Sequence, residues 1–154
     1  MNKEIKILTL IFFFNFLLVN NLLSNEKDYF LTLKYNKVKV RQGPSFKHPV
    51  KFIYKMKYLP IKVIDTKDNF KKIIDLKNNN GWIHISQLTK KKSAINVYDL
   101  SIIFKKPNTY SQPIAKLEKG KMVIIKKCTE NWCNIMTDEY KGWIFKNTLW
   151  GKTK

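Results

Sequence analysis

One motif occurs twice in this chain, in the same order and at nearly the same spacing. Each copy begins with a strand-like segment that ends in a proline turn, continues through an acid–asparagine–aromatic triplet, and closes with Gly-Trp-Ile. The copies occupy residues 40–45, 68–70 and 81–83, and residues 103–108, 130–132 and 142–144. A repeat of roughly 50 residues is too long for one coil of a solenoid and fits one small β domain. The chain therefore has room for two such domains and little room for a separate catalytic domain.

The order of apolar and polar residues predicts an all-β fold. Val38 and Val40 alternate with basic residues, which is the period-two signature of a half-buried strand. Further strands are expected at residues 50–56, 59–64, 70–76, 82–85, 100–105, 115–117, 122–128, 132–136 and 142–145. Residues 26–36 are expected to be a linker, and residues 86–88 one helical turn. Many short strands between turns predict two small, partly open β-barrels, at residues 35–89 and 94–151.

The first residues predict an export signal at residues 1–24. Lys3 and Lys6 give a positive start, residues 7–19 are apolar apart from Thr9 and Asn15, and Ser24 supplies a small residue for cleavage. The apolar run is shorter than the about 20 residues of a membrane span. We therefore expect a cleaved signal peptide and a periplasmic protein, with an uncleaved inner-membrane anchor as the alternative.

The chain is strongly basic, with 30 Lys and Arg residues against 11 Asp and Glu and a formal net charge of +19. AT-rich codon usage accounts for part of the lysine but not for the shortage of acids. Such a charge predicts an anionic neighbourhood, such as cell-wall carboxylates, phospholipid, surface polysaccharide or nucleic acid. Export argues against nucleic acid as the partner.

Catalysis is not expected from this sequence. The histidines are His48 and His84, and no spacing pairs either with a cysteine as nucleophile and base. Two histidines and two cysteines spread over two units also fall short of a metal site, and no cofactor motif is present. The sequence therefore predicts a protein that is not an enzyme and holds no metal and no cofactor.

Cys128 and Cys133 flank a predicted hairpin turn in the second unit. Opposite positions of a hairpin bring Cα atoms to within disulfide distance, and an oxidising periplasm favours closure. We expect a disulfide between them, with two free thiols as the alternative.

The first unit resembles the bacterial SH3-like domain. The resemblance rests on Val40–Ser45, on an aromatic residue after Asp68-Asn69, and on Gly81–His84 before Leu88. The second unit matches more loosely, because Phe104, Lys106 and Asn108 stand where the first has Arg41, Gly43 and Ser45. With Cys128, Trp132-Cys133 and Leu149–Gly151, the chain is similar to exported tandem SH3-like proteins of proteobacteria over residues 35–151.

The resemblance implies a binding function, because SH3-like barrels bind extended peptides on aromatic shelves. Arg41, Ser45, Tyr58 and Trp82 are the candidate ligand-binding residues, with the basic side chain holding a peptide carboxylate. The competing interpretation of Trp82 and Trp143, which the sequence favours, is that both are core residues. The expected ligand is a peptidoglycan stem peptide or a peptide of an envelope protein, and the second unit is expected to be mainly structural. A scaffold held to anionic surfaces by charge alone is the alternative function, ahead of nucleic-acid binding.

Overall fold

A computed structural model describes residues 29–153, so the predicted signal peptide at residues 1–24 lies outside the described residues. The first unit contains β1 (Tyr29–Leu33), β2 (Val38–Arg41), β3 (Val50–Tyr54), β4 (Pro60–Lys67), β5 (Phe70–Ile74), β6 (Asn80–His84) and β7 (Leu88–Thr89). The second contains β8 (Ser93–Asn96), β9 (Leu100–Phe104), β10 (Pro113–Glu118), β11 (Met122–Cys128), β12 (Trp132–Met136), β13 (Lys141–Phe145) and β14 (Leu149–Gly151). Single 3-10 turns at Ile85–Gln87 and Lys146–Thr148 precede β7 and β14.

Each unit is one antiparallel seven-stranded sheet, and the two sheets have the same topology. The strand order is β3-β2-β6-β5-β4-β1-β7 in the first and β10-β9-β13-β12-β11-β8-β14 in the second. β1 contacts both β4 and β7, and β8 contacts both β11 and β14. The predicted all-β fold, with two small units in tandem, is confirmed.

Alternating apolar residues supply a separate core to each unit. In the last long strand of both units, Gly-Trp-Ile turns the glycine and isoleucine inward, so that Ile83 and Ile144 are buried. Fully buried valines and isoleucines from the neighbouring strands complete both cores, and each stays within its own unit. Cross-strand neighbours on the same face of a sheet pack against each other, which fixes the strand register.

The expectation that residues 26–36 form a linker is wrong, because β1 occupies Tyr29–Leu33. β8 likewise lies at the predicted boundary between the units. The two strands lack period-two alternation, since Thr32 and Ser93 are buried together with their apolar neighbours. Thr32 and Ser93 are buried because they face the other unit. A search for strands that have one exposed face does not detect residues of this kind.

A small polar contact joins the two units. The hydroxyl of Thr32 donates to the backbone oxygen of Lys91 at 2.6 Å and lies 2.9 Å from the hydroxyl of Ser93. The rings of Phe30 and Trp150 meet edge to face beside it, with centroids 4.9 Å apart. Buried hydroxyls that satisfy each other avoid the cost of an unpaired polar group and favour one docking arrangement.

An aspartate organises the turn that precedes β6. Asp75 is buried, and its carboxylate accepts from the backbone amides of Lys77 and Asn79, each at 2.9 Å. The phenol of Tyr54 donates to the same carboxylate at 2.9 Å. Burial, together with this bond, raises the pKa of Tyr54 far above its usual value. Asn78 in this turn has a φ of 64°, in the left-handed region that asparagine tolerates.

The predicted disulfide between Cys128 and Cys133 is confirmed. The two residues are cross-strand partners in β11 and β12, with Cα atoms 4.0 Å apart. Two cysteines this close can be bridged, since a disulfide is ruled out only when the Cα atoms are more than about 7 Å apart.

Replacing both Cys128 and Cys133 by alanine should lower the free energy of unfolding by about 2 kcal/mol, because the closed loop is short. Urea denaturation of the wild-type protein and the double variant measures the difference. Thiol labelling of the native, unreduced wild type should fail. Rapid labelling of both cysteines without reductant would contradict the assignment.

Candidate functional site

A tryptophan flanked by two cations lies on the outer face of the first sheet. Trp82 in β6 is the cross-strand partner of Arg41 in β2 and of Lys72 in β5. Cross-strand partners project from the same face, and here the opposite face is taken by the buried residues Val40 and Ile83. Lys72, Trp82 and Arg41, the cation row, therefore stand side by side across three adjacent strands.

An aromatic cluster adjoins the cation row, at the start of β5 and the end of β6. Phe70 and His84 are cross-strand partners, with ring centroids 5.1 Å apart. Phe46 reaches over them from the loop after β2, and its ring centroid lies 5.2 Å from that of Phe70 and 4.9 Å from that of His84. Phe46 remains 64% exposed, whereas Phe70 is buried beneath it. Phe46 thus presents an apolar ring to solvent beside Trp82 and its cations.

Arg41 also holds this loop in place. Its Nη1 donates to the backbone oxygens of Phe46 at 3.1 Å and His48 at 2.7 Å, and its guanidinium carbon lies 5.4 Å from the centroid of the Phe46 ring. Ser45 acts within the same loop, where its hydroxyl accepts from the amide of Lys47 at 3.0 Å. The structure therefore brings three of the predicted ligand residues, Arg41, Ser45 and Trp82, to one end of the first unit.

Arg41→Ala should loosen the loop at residues 42–49, because two backbone carbonyls lose a charged donor. We expect the loss of stability to be about 1–3 kcal/mol, together with faster proteolysis within the loop. Limited proteolysis followed by mass spectrometry locates the cleavage sites. The exposed variant Lys47→Ala is the control and should leave the digestion rate unchanged. Equal digestion rates for wild type and Arg41→Ala would contradict the loop-holding role.

The interpretation of Trp82 and Trp143 as core residues is wrong. Both are half-buried on the outer face, one residue away from the buried Ile83 and Ile144. The physical reason is the strand period of two, since burying Gly81 and Ile83 forces the intervening side chain outward.

Tyr58 lies at the opposite end of the first unit. Arg41 pairs with Val50 at the start of β3, whereas Tyr58 follows the end of that strand, roughly 13 Å further along at the usual strand rise. Tyr58 instead faces the second unit, across a groove that it shares with residues of β9 to β12. The structure thus does not bring Tyr58 together with the other three predicted residues.

The second unit builds its aromatic cluster differently. Trp132 and Phe145 are cross-strand partners that stack with centroids 4.0 Å apart, and Phe104 contacts Trp132 edge to face at 5.6 Å. Phe104 is the cross-strand partner of Trp143, so it occupies the register position of Arg41. The equivalent loop leaves Tyr110 99% exposed. The second unit has the aromatic shelf without the arginine.

Sequence reasoning missed Lys72 and Phe46. Lys72 could have been found, because it precedes the buried Ile73 in a strand that pairs with β6 and therefore projects from the opposite face. Phe46 gave only a weak signal, as one apolar residue in a turn-rich loop.

The titratable groups of residues 29–153 form no cluster of three or more metal-ligating side chains. Both cysteines are in the disulfide, and His84 is bound within the aromatic cluster with its Nδ1 2.7 Å from the hydroxyl of Ser86. The arrangement offers aromatic faces and fixed cations, which suit binding of an anionic or carboxylate-bearing ligand. None of the helical turns within residues 29–153 is long and apolar enough to cross a membrane.

Comparison with solved structures finds distant likenesses, three of which are NlpC or NlpC/P60 proteins. NlpC2 from Trichomonas vaginalis is 17% identical with a TM-score of 0.38, over 84% of this chain and 50% of that one. NlpC1 from the same organism is 16% identical with a TM-score of 0.37, over 82% of this chain and 46% of that one. An NlpC/P60 family protein from Bacillus cereus is 10% identical with a TM-score of 0.34, over 80% of this chain and 57% of that one. The chain thus spans about half the length of these proteins, and likenesses this low carry no inference about function.

No curated protein matches the sequence. The bacterial SH3 domain family matches it twice, at residues 34–90 and 97–151. Each match covers six of the seven strands of one sheet and begins just after β1 or β8. Together they cover more than half of the chain. On this evidence, the protein belongs to the bacterial SH3 domain family and carries two copies of the domain in tandem.

Proposed function

We propose that the protein is an exported, non-enzymatic binding protein that holds a carboxylate-bearing peptide on the outer face of its first domain. The ligand class is the stem peptide of peptidoglycan or a peptide of another envelope protein. The observation that carries the proposal is the cation row, in which Trp82 stands between Arg41 and Lys72 on one face. Family membership supports a binding role in the cell envelope.

The chemistry of the cation row fits a peptide with a free carboxylate. A tryptophan face gives an apolar shelf for a peptide backbone or methyl group, and flanking cations supply charge-assisted hydrogen bonds. The Nη1 of Arg41 donates to two backbone oxygens of the loop, and these bonds fix the direction of the guanidinium. A guanidinium held in advance loses less freedom when it binds a ligand.

A scaffold held to anionic surfaces by charge alone is the second candidate. It is favoured by the net charge of +19 and by the weakness of the internal ion pairs. Both ion pairs between described side chains, Lys119–Asp99 and Lys121–Glu118, are exposed and lie in the second domain. Exposed pairs of this kind neutralise little of the surface field.

Co-sedimentation with purified cell-wall sacculi at low and high salt separates the two candidates. Above about 0.5 M salt the Debye length falls to a few ångströms, so attraction by overall charge is largely screened. Binding that persists at high salt supports a specific peptide site. Binding that disappears would favour the charge-held scaffold.

A further inference from the structure

Tyr58 adopts a backbone conformation that the same turn in the second domain gives to glycine. Its φ is 65°, and its amide donates to the backbone oxygen of Leu33 at 2.9 Å. In the second domain Gly120, with a φ of 81°, donates to the oxygen of Asn96 at 2.8 Å. A bulky residue in the left-handed region is strained, and such strain is concentrated at functional sites. The turn accepts glycine, yet the first domain has an aromatic ring there.

Two lysines lie against the Tyr58 ring. The Nζ of Lys91 is 3.9 Å from the ring centroid and that of Lys57 is 4.9 Å from it. The backbone of Lys91 is fixed by the contact between the domains, where its oxygen accepts from Thr32. Hydrogen bonding to Lys91, and then to Lys57, lowers the pKa of the Tyr58 phenol. One end of the groove is thus aromatic, positive and anchored to both domains.

The rest of the groove lies on the second domain and combines apolar with charged residues. Its volume is about 670 Å³, within the range of roughly 300–1,000 Å³ that ligand pockets usually have. Leu100, Met122, Ile124 and Met136 line it, and Leu100 is 52% exposed. Methionines adapt their shape to different apolar partners, which suits an occupant with small aliphatic side chains.

The rim of the groove carries both signs of charge. Beyond the Tyr58 end, Lys116 and Lys121 stand near Glu118, and the turn after β12 adds Asp138 and Glu139. Such a rim, which mixes acids with cations, attracts an anionic membrane less strongly than a purely cationic rim would. It complements a chain that has an anionic end, an apolar middle and a cationic group.

From these observations we infer that the groove between the domains binds an amphipathic peptide, whose carboxylate end is held by Tyr58, Lys57 and Lys91 and whose aliphatic side chains cover Met122 and Met136. This site is separate from the cation row and does not depend on the proposed function.

Methionine-methyl NMR on the purified protein tests the inference. The probe is an octapeptide of alternating leucine and alanine with an N-terminal lysine and a free C-terminal carboxylate, compared with its C-terminal amide. Met122 and Met136 line the groove, so their methyl signals report whether it is occupied. The carboxylate peptide should shift the Met122 and Met136 signals, and the amide should shift them less at the same concentration.

Three variants locate the carboxylate end. Tyr58→Gly removes the ring while suiting the left-handed backbone, so loss of binding cannot be ascribed to misfolding. Tyr58→Gly and C-terminal amidation should each weaken binding about tenfold, as expected for loss of a charge-assisted contact. Lys91→Gln should also weaken it, whereas the matched control Lys92→Gln should change the affinity by less than about twofold.

Unchanged affinity after both amidation and Tyr58→Gly would overturn the inference. It would also be overturned if phosphatidylglycerol vesicles shifted Met122 and Met136 while the peptide did not, which would assign the groove to lipid. Arg41→Ala should leave binding of this peptide intact. A failure to bind this peptide can therefore be distinguished from a failure to bind sacculi.

Discussion

Gly81→Ala should destabilise the first domain by about 3 kcal/mol, because a methyl group at this position has no space. An added Cβ would lie 2.8 Å from the backbone oxygen of Arg41 and would collide with the side chain of Val40. Neither can yield easily, since Val40 is fully buried and the Arg41 carbonyl belongs to β2. A domain of this size has a total stability of roughly 3–9 kcal/mol, so the variant should be close to unfolding at room temperature.

Urea denaturation followed by tryptophan fluorescence measures the effect of Gly81→Ala. Gly142→Ala should behave in the same way in the second domain, because its Cβ would lie 2.6 Å from the backbone oxygen of Phe104. Lys77→Ala, in the exposed turn before β6, is the control and should stay within about 0.5 kcal/mol of wild type. A Gly81→Ala protein as stable as the control would show that β2 and β6 are not as close as described.

Asn96→Ala should cost the second domain about 4 kcal/mol. Asn96 is fully buried, and its side-chain amide donates to the backbone oxygens of Tyr98 and Leu117, each at 2.9 Å. Its Oδ1 accepts from the hydroxyl of Ser101 at 2.8 Å. Removing it leaves several buried polar groups without their partner, and each unsatisfied group costs about 1–3 kcal/mol.

The control for Asn96→Ala is Asn147→Ala, an exposed asparagine of the same domain that should change stability by less than about 0.5 kcal/mol. Thermal and urea unfolding compare the two variants. The first domain has the apolar Leu33 at the equivalent place, paired with Leu88 as Asn96 is paired with Leu149. Equal stabilities of the two asparagine variants would mean that the buried network contributes nothing to folding.

The repeated motif made the fold predictable from the sequence. Gly-Trp-Ile in both units fixes the inward residues of β6 and β13, and alternation of Val38 and Val40 with basic residues locates β2. β1 and β8 were missed because burial on both faces removes the alternation that identifies a strand. Their polar residues are buried only through the contact between the domains, which local sequence does not encode.

The candidate site was predicted in part. Arg41, Ser45 and Trp82 were selected and lie at the same end of the first domain. The tryptophan was nevertheless favoured as core, because its size and hydrophobicity outweighed the strand parity set by Gly81. Tyr58 was grouped with them although strand β3 separates it from Arg41. The sequence repeat places Tyr58 where the second copy has Gly120, and this marks Tyr58 as an unusual residue for the turn.

The structure changes which variant, Arg41→Ala or Trp82→Ala, is the better test of ligand binding. The sequence alone favours Arg41→Ala as the test of binding, because an arginine at a strand end contributes little to a core. Its bonds to the carbonyls of Phe46 and His48 now make it a loop variant as well. Trp82 is half-buried on the outer face, so Trp82→Ala removes the shelf while leaving the core residues in place.

The most direct test of the cation row is therefore a paired comparison of Trp82→Ala and Trp143→Ala in sacculus binding at high salt. The two substitutions remove the same side chain at the same register position, but the first domain has Arg41 and Lys72 as its cross-strand partners and the second has Phe104 and Asn134. Among the described residues, Trp143 has a single cation against its ring, the Nζ of Lys127 at 5.4 Å from the centroid. We expect Trp82→Ala to weaken binding about tenfold or more and Trp143→Ala by less than about twofold, with both proteins folded by circular dichroism. Equal binding by the two variants would contradict a ligand site on the first domain.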